Sequence, residues 1–487
     1  MVVLTLFFEV FNNVFLYYAM FLFVSYLLIA VLSTSELKAY IDRNKYFRYK
    51  TIRSYKIVPS VSIIAPSYNE EESIVENIRS LLSLHYPKVE VIIVNDGSKD
   101  NSLQKVIDSY ELENVDYAFN ETIETAKVRG VYKSLNKAYS NLIFVDKENG
   151  GKADALNAGI NISRSDLFLA IDVDCIIEPD AILRMVKPFL EEEGNKRVIA
   201  SGGVIRVANS CDVKDGRIVK VRYPKNIWAK FQVLEYFRAF TLGRMAWSRI
   251  NGLLIISGAF GMFDKKLAIE AGGYDTSTVG EDLELVVRMR KYMHRVKKEK
   301  YKIAFIPDPL CWTEVPSTVK VLARQRNRWT RGSIDTVLKH RDMYLNPRYG
   351  RIGMVSFPYW VLFEWFAPIL ETLGIIYFIV ALILGMVDYQ IFFLLLLFVF
   401  SFSLAFSSLA VFYETYFFNR YKGATFLLKI VLIAMAEMII FHPMNVFFSL
   451  KGNFDYFFRK NKKGWGVMTR TGFGDKPAGE SSVQPNE

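Results

Sequence analysis

The first pattern along the chain is apolar without a polar period. Residues 10–33 (VFNNVFLYYAMFLFVSYLLIAVLS) read as one helix of membrane-crossing length. No Lys or Arg precedes it, so the basic start of a signal peptide is missing. Residues 34–59 form a basic juxtamembrane stretch with Lys38, Arg43, Lys45, Arg48, Lys50, Arg53 and Lys56. That excess of positive charge predicts an outward N-terminus and a cytoplasmic location for the residues after this helix.

From 60 to about 315 the period changes. Short β-rich runs at 61–65, 89–95, 141–146, 167–172, 198–207 and 302–307 alternate with helical patterns such as 70–84 and 151–162. Such alternation predicts βαβ units on a mainly parallel, doubly wound sheet. Ligands of such sheets bind beyond the carboxyl ends of the strands. Residues 316–354 are basic and amphipathic, as expected of helices at a membrane interface. Apolar runs return within 355–450, at about 355–387, 390–414 and 424–450, with Asp388 in a very short outer loop. The last run contains Lys429, Glu437, His442 and Pro443, which are costly in lipid, and a crossing there would place the basic tail outside. A re-entrant or interfacial helix is the expectation for it. Residues 451–487 read as a basic tail, disordered from about Asp475.

Composition narrows the class. A chain of 487 residues has room for two or three domains at roughly 150 residues each. Its 51% apolar content is high for a soluble enzyme, while 23% charged is too much for an all-membrane protein, so a mixed architecture is expected. The net charge of +11 sits mostly beside the apolar segments, which points to a lipid surface and a diphosphate ligand and away from nucleic acid. Three widely spaced cysteines, Cys175, Cys211 and Cys311, show no metal spacing and read as free thiols.

The candidate chemistry lies where strands end. PSYNEEE (66–72) closes the first strand. Asp96, in VNDGSKDNS (94–102), closes the second and can accept from a nucleobase imide, although the same residues make an ordinary Asx-Gly turn. In ENGGKADALNAG (148–159), Gly150 and Gly151 precede Lys152 at a helix start, a place that favours phosphate; the spacing is not that of a P-loop. Asp172 and Asp174, in LFLAIDVDC (167–175), end an apolar strand, and two such carboxylates can share a hard divalent cation. Glu281 and Asp282 open a helix in GGYDTSTVGEDLELVVRMR (272–290), where the dipole suits an ionised general base; helix capping accounts for the same residues. RQRNRWTRG (324–332) puts Gln325, Arg328 and Trp329 on one basic helix, with a cation for phosphate and a flat indole for a sugar ring. An interfacial Trp belt is the plainer explanation.

The order Asp-Gly-Ser, Lys-centred loop, Asp-x-Asp, Glu-Asp, Gln-x-x-Arg-Trp resembles the processive family 2 glycosyltransferases, which include poly-N-acetylglucosamine, chitin, hyaluronan and cellulose synthases. The resemblance spans about 60–332 and implies a GT-A-like α/β nucleotide-sugar-binding domain joined to transmembrane helices. It implies an inverting transferase that extends a polysaccharide from a UDP-sugar, N-acetylglucosamine before glucose. By position, Asp96, Lys152, Asp172 and Arg328 resemble donor-binding groups, and Asp174 the ligand of Mg²⁺ or Mn²⁺. Asp282 resembles the catalytic base, and Glu281, Gln325 and Trp329 resemble acceptor-binding groups. Two positions depart from the pattern: Asn95 replaces an Asp, and Gly280 stands where many relatives carry Thr. The implied partners are donor, growing glycan, lipid and accessory export proteins, and the implied location is a multi-pass plasma-membrane protein with a cytoplasmic catalytic domain. The alternatives are a non-processive transferase adding one sugar to a lipid-linked acceptor, and a transporter or receptor with a cytosolic binding domain.

Overall fold

The apolar runs between the first and last membrane stretches fold into strands buried on both faces. They do so in a computed structural model that describes residues 2–45, 58–191, 195–421 and 423–459. Most of the basic linker, from residue 46, and the tail from 460 lie outside the described residues.

The strands in chain order are β1 (Val61–Ser67), β2 (Val89–Asp96), β3 (Leu112–Val115), β4 (Val128–Ser134), β5 (Leu142–Lys147), β6 (Leu167–Ile171), β7 (Ile176–Ile177), β8 (Arg197–Val207), β9 (Asp212–Lys214), β10 (Arg217–Lys220), β11 (Phe260–Asp264) and β12 (Tyr301–Thr313). Ten of them form one sheet in the order β3-β4-β5-β2-β1-β6-β11-β8-β12-β7, while β9 and β10 pair as a separate hairpin. The centre, β5-β2-β1-β6, is parallel. Covered on both faces, these strands need continuous rather than alternating apolar sequence, which is what 61–65, 89–95 and 141–146 supply.

The sheet is mixed rather than mainly parallel throughout. β11 runs antiparallel between β6 and β8, and β3, β4 and β7 add antiparallel edges. β11 was not among the expected strands. It is five residues long, its sequence FGMFD carries a glycine at its second position, and its partners are remote in sequence.

The parallel centre decides the site. β2, β5 and β6 end at one edge, so Asp96, Lys147 and the residues after Ile171 are delivered side by side; Asp96 and Lys147 are register partners. At the other side of the site, Gly280 and Gly332 meet backbone to backbone. A Cβ on Gly280 would lie 2.8 Å from the Gly332 Cα. This contact lets the helix Glu281–Tyr292 approach the helix Val319–Lys339, and it gives a physical reason for glycine at position 280.

Among the described residues, three helices are long and apolar enough to cross a membrane: Val10–Asn44, Tyr389–Phe418 and Thr425–Phe458. A fourth candidate is the pair Ile352–Trp365 and Ala367–Ile383, bent by 47°. Their outer faces are apolar and uncovered, for instance at Leu394, Ile383 and Ile439, the arrangement a lipid solvent requires. Asp388 caps the helix Tyr389–Tyr413 by accepting from the Gln390 and Ile391 N–H groups. Two ion pairs join the sheet domain to these helices: Arg206, on β8, with Glu414, fully buried, and Arg238, on the helical stretch Phe237–Arg244, with Glu437. The basic helix Val319–Lys339 is packed on both sides: Gly280 faces it from the sheet domain, while Gly452 meets Thr330 and Asp455 accepts from Asn327 at 2.7 Å.

Candidate active site

Asp96 is nearly fully buried, and its carboxylate accepts four internal hydrogen bonds. Oδ1 accepts from Lys147 Nζ (2.8 Å) and the Gly150 N–H (2.9 Å), and Oδ2 from the Gly151 N–H (2.8 Å) and Asn149 Nδ2 (3.1 Å). Gly151 adopts φ +89°, a conformation that side-chain-bearing residues rarely take, and this turn aims both glycine N–H groups at Asp96. The loop therefore closes on Asp96 and releases the helix Lys152–Ile162 toward the sheet edge. Lys147, fully buried, also pairs with Asp154 at 2.5 Å. Beside it Asn95 donates to Asp146 Oδ1 at 2.8 Å, and Arg129 reaches the same oxygen at 2.6 Å. An Asp at 95 would set two buried carboxylates against each other, which explains the departure from the family pattern. The pairs of Lys147 with Asp154 and of Asp146 with Arg129 escaped sequence reading because a charged residue carries no local sign of its partner.

Lys152 Nζ pairs with Asp172 at 2.5 Å, lies 3.7 Å from Glu281 Oε1 and donates to the Gly258 carbonyl at 3.3 Å. Burial alone lowers the pKa of Lys152; the carboxylates of Asp172, Glu281 and Asp282 more than offset this and raise it. Glu281 goes up, because burial outweighs the opposing charge of Lys152. Asp282 Oδ2 accepts from the Gly258 N–H at 2.9 Å and Oδ1 from the Leu283 N–H at 2.8 Å. Two backbone donors thus set its orientation at the helix start. The contribution of the 257–260 loop was not foreseen, since a backbone N–H has no sequence signature.

Asp172, Asp174 and Cys175 bring their ligand atoms within 4.8 Å of one another. Cys175 offers a soft sulfur, which hard divalent ions such as Mg²⁺ and Mn²⁺ bind poorly. The two carboxylates are the hard oxygen donors that Mg²⁺ or Mn²⁺ prefers, and the donor set fits such an ion.

One cavity of about 810 Å³ collects most of the candidate residues. Lys152, Asp172, Glu281, Asp282, Gln325, Arg328 and Trp329 all line it. Asp96 is set behind the loop that carries Lys152 and does not line the cavity. Arg326, inside the Gln-x-x-Arg-Trp segment, pairs with Glu235 at 2.5 Å and lies 4.4 Å from the Trp329 ring centroid. The indole is 42% exposed at the cavity wall. Beyond this helix the cavity continues between the apolar helices, where Tyr359, Phe363, His442 and Asn445 line it.

Residues 59–332, more than half of the chain, match the model of a family described as "Glycosyltransferase like family 2". The chain is 28% identical over 332 residues to a poly-beta-1,6-N-acetyl-D-glucosamine synthase of Staphylococcus epidermidis, covering 68% of this chain and 67% of that protein. It is also 28% identical over 329 residues to the enzyme of that name from Staphylococcus aureus strain COL, covering 67% and 64%. The chain thus spans about two thirds of the length of these relatives. Among solved structures, a mannosyltransferase of Pyrobaculum calidifontis, in complex with GDP-Man and Mn²⁺, superposes with a TM-score of 0.50 at 17% identity, over 89% of this chain and 99% of that one.

Proposed function

Because the chain belongs to glycosyltransferase family 2, we propose that it transfers N-acetylglucosamine, with inversion, from UDP-N-acetylglucosamine to the end of a growing glycan that leaves between its membrane helices. The observation that carries this reading is the single cavity running from Lys152 and Asp282, past Trp329, to His442 and Asn445. The names of the Staphylococcus relatives support the choice of sugar.

In this reading Asp282 takes the proton of the acceptor hydroxyl as its oxygen bonds to the anomeric carbon and the bond to UDP breaks on the opposite face. Lys152 and Arg328 place positive charge where the diphosphate leaves. Asp174, with Asp172 beside it, would hold a divalent cation, which would supply Lewis-acid stabilisation of that leaving group. Asp96, whose donors are all internal, holds the 149–151 loop that carries Lys152 to the donor. Mass spectrometry of products from a panel of UDP-sugars tests the whole reading. Polymer from UDP-N-acetylglucosamine is expected, and transfer of one sugar only would establish the non-processive alternative.

Asp174→Ala is expected to remove the metal dependence of donor binding. Calorimetric titration of UDP with and without Mn²⁺ checks it, and an unchanged enhancement in the variant would exclude Asp174 as ligand.

Trp329→Ala is expected to keep donor binding but to shorten the product. Aromatic contacts contribute roughly 0.5–1.5 kcal/mol beyond area burial, so acceptor retention falls about tenfold at most. Normal polymer length at equal folded amount would leave Trp329 as an interface anchor.

The proposed orientation has the N-terminus outside and the catalytic domain in the cytoplasm of a plasma membrane. A cysteine introduced at Asp388 should react with an impermeant reagent added outside, and one at Lys105 should not. Labelling at Lys105 reverses the topology.

A further inference from the structure

Residues 271–277 form a turn between the helix Lys265–Glu270 and the Glu281–Asp282 segment, and they stand outside the cavity. Three helices reach this turn with side chains. Asn157, on the helix Lys152–Ile162, donates to the Tyr274 carbonyl at 2.8 Å and accepts from the Tyr274 N–H at 2.7 Å. Arg288, on the helix Glu281–Tyr292, donates to the Ala271 carbonyl at 2.6 Å and to the Gly273 carbonyl at 2.5 Å. Lys339, on the helix Val319–Lys339, donates to Asp275 Oδ2 and Ser277 Oγ, both at 2.7 Å. Each of these helices also carries a residue of the cavity wall: Lys152, Asp282 and Trp329. The turn is shaped for these contacts. Gly272 and Gly273 adopt φ +101° and +67°; a Cβ on Gly272 would lie 2.7 Å from Arg288 Nη1, and one on Gly273 2.7 Å from Asn157 Oδ1. A side chain at either position would displace the groups that hold the turn. Closing the preceding helix needs none of them, because the Gly272 and Gly273 N–H groups already donate to the Ile269 and Ala268 carbonyls. Two of the three helices are also tied directly. Glu284, buried two residues after Asp282, accepts from Arg288 Nε at 2.8 Å and pairs with His340 Nε2 at 3.1 Å, where the helix Val319–Lys339 ends.

We propose that Asn157, Arg288 and Lys339 are positioning residues: through the 271–277 turn they set the spacing of the helices that carry Lys152, Asp282 and Trp329. This rests on the transferase reading above and extends it to residues that touch neither donor nor acceptor. Transfer needs base, acceptor hydroxyl and leaving diphosphate in one geometry at the same moment, and a misplacement of about 1 Å costs on the order of 100-fold in rate. The three helices are far apart in the chain, so their spacing needs a common reference. The turn supplies it, since it runs on directly into Gly280, Glu281 and Asp282.

The test uses the purified full chain and the variants Arg288→Met, Lys339→Met, Lys339→Arg and the double variant Arg288→Met/Lys339→Met. UDP release is measured at saturating acceptor, per folded molecule, with UDP-N-acetylglucosamine or whichever UDP-sugar the wild type turns over; calorimetry gives the Kd of UDP. Lys339→Met is expected to lower kcat about three- to tenfold and Arg288→Met about ten- to hundredfold, with the Kd of UDP within about twofold of wild type. Lys339→Arg, which keeps the charge and the donors to Asp275, should recover kcat to within about twofold. The double variant should lose less than the product of the two single losses, because both act through one turn. Lys339 is partly exposed, so its two variants decide the matter should Arg288→Met fail to fold. A tie that serves stability alone would lower Tm and leave kcat per folded molecule at the wild-type level, and that result overturns the proposal. So does a Lys339→Arg variant as slow as Lys339→Met. If wild-type protein releases UDP from no UDP-sugar, the reading of function falls and the proposal with it; normal wild-type turnover with unshifted variants overturns the proposal alone.

Discussion

Asp282→Asn is expected to abolish sugar transfer while leaving UDP binding nearly intact. The carboxylate is oriented by the Gly258 and Leu283 N–H groups and lines the cavity with Lys152 and Glu281. An amide of the same shape still accepts through its oxygen but cannot take a proton, and loss of a general base costs on the order of 10²–10⁴ in rate. The amide nitrogen also faces one of the two backbone donors, so a small reorientation accompanies the change. UDP release and polymer yield measure the rate, and calorimetry measures donor affinity. A variant that kept more than half of the wild-type activity would remove Asp282 from the base role.

The second large effect is expected from Lys147→Met, in a residue that no motif contains. Lys147 is completely buried between Asp96 (2.8 Å) and Asp154 (2.5 Å) and also donates to the Glu148 carbonyl. Methionine has a similar length and removes the charge, leaving two buried carboxylates without their cation. Breaking a buried pair in this way costs about 3–5 kcal/mol. For a domain of this size that corresponds to a fall in Tm of roughly 10 °C. The Ala126 N–H still reaches Asp154, and the Gly150 and Gly151 N–H groups still reach Asp96, so a folded but loosened loop is expected at low temperature. Because that loop delivers Lys152, the rate should fall together with stability. Thermal unfolding in detergent checks the first effect and donor turnover the second. A Tm within about 2 °C of wild type would show that the network is not structural.

Legibility in the sequence obeys one physical rule. Apolar runs that must be buried on both faces, such as 61–65 and 141–146, announce their strands without help from partners. Motif residues at the ends of those strands then converge because parallel strands share one carboxyl edge. Lys152 and Asp172 reach the cavity in that way, and the helices Glu281–Tyr292 and Val319–Lys339 bring Glu281, Asp282, Gln325, Arg328 and Trp329 to it. The departures at Asn95 and Gly280 were visible as letters but not as reasons. Asn95 is explained by Asp146, 51 residues away, and Gly280 by Gly332 on another helix.

By itself, then, the chain's pattern determined an α/β domain between apolar helices and the types of residue at its strand ends, since burial and strand polarity are written locally. Only the tertiary structure decided the rest: the antiparallel β11, the closure of the 149–151 loop on Asp96, and the backbone donors to Asp282. Each of these depends on a partner far along the chain. A hydrogen bond or an ion pair has no period in sequence, and its partner becomes visible only when the fold brings the two together.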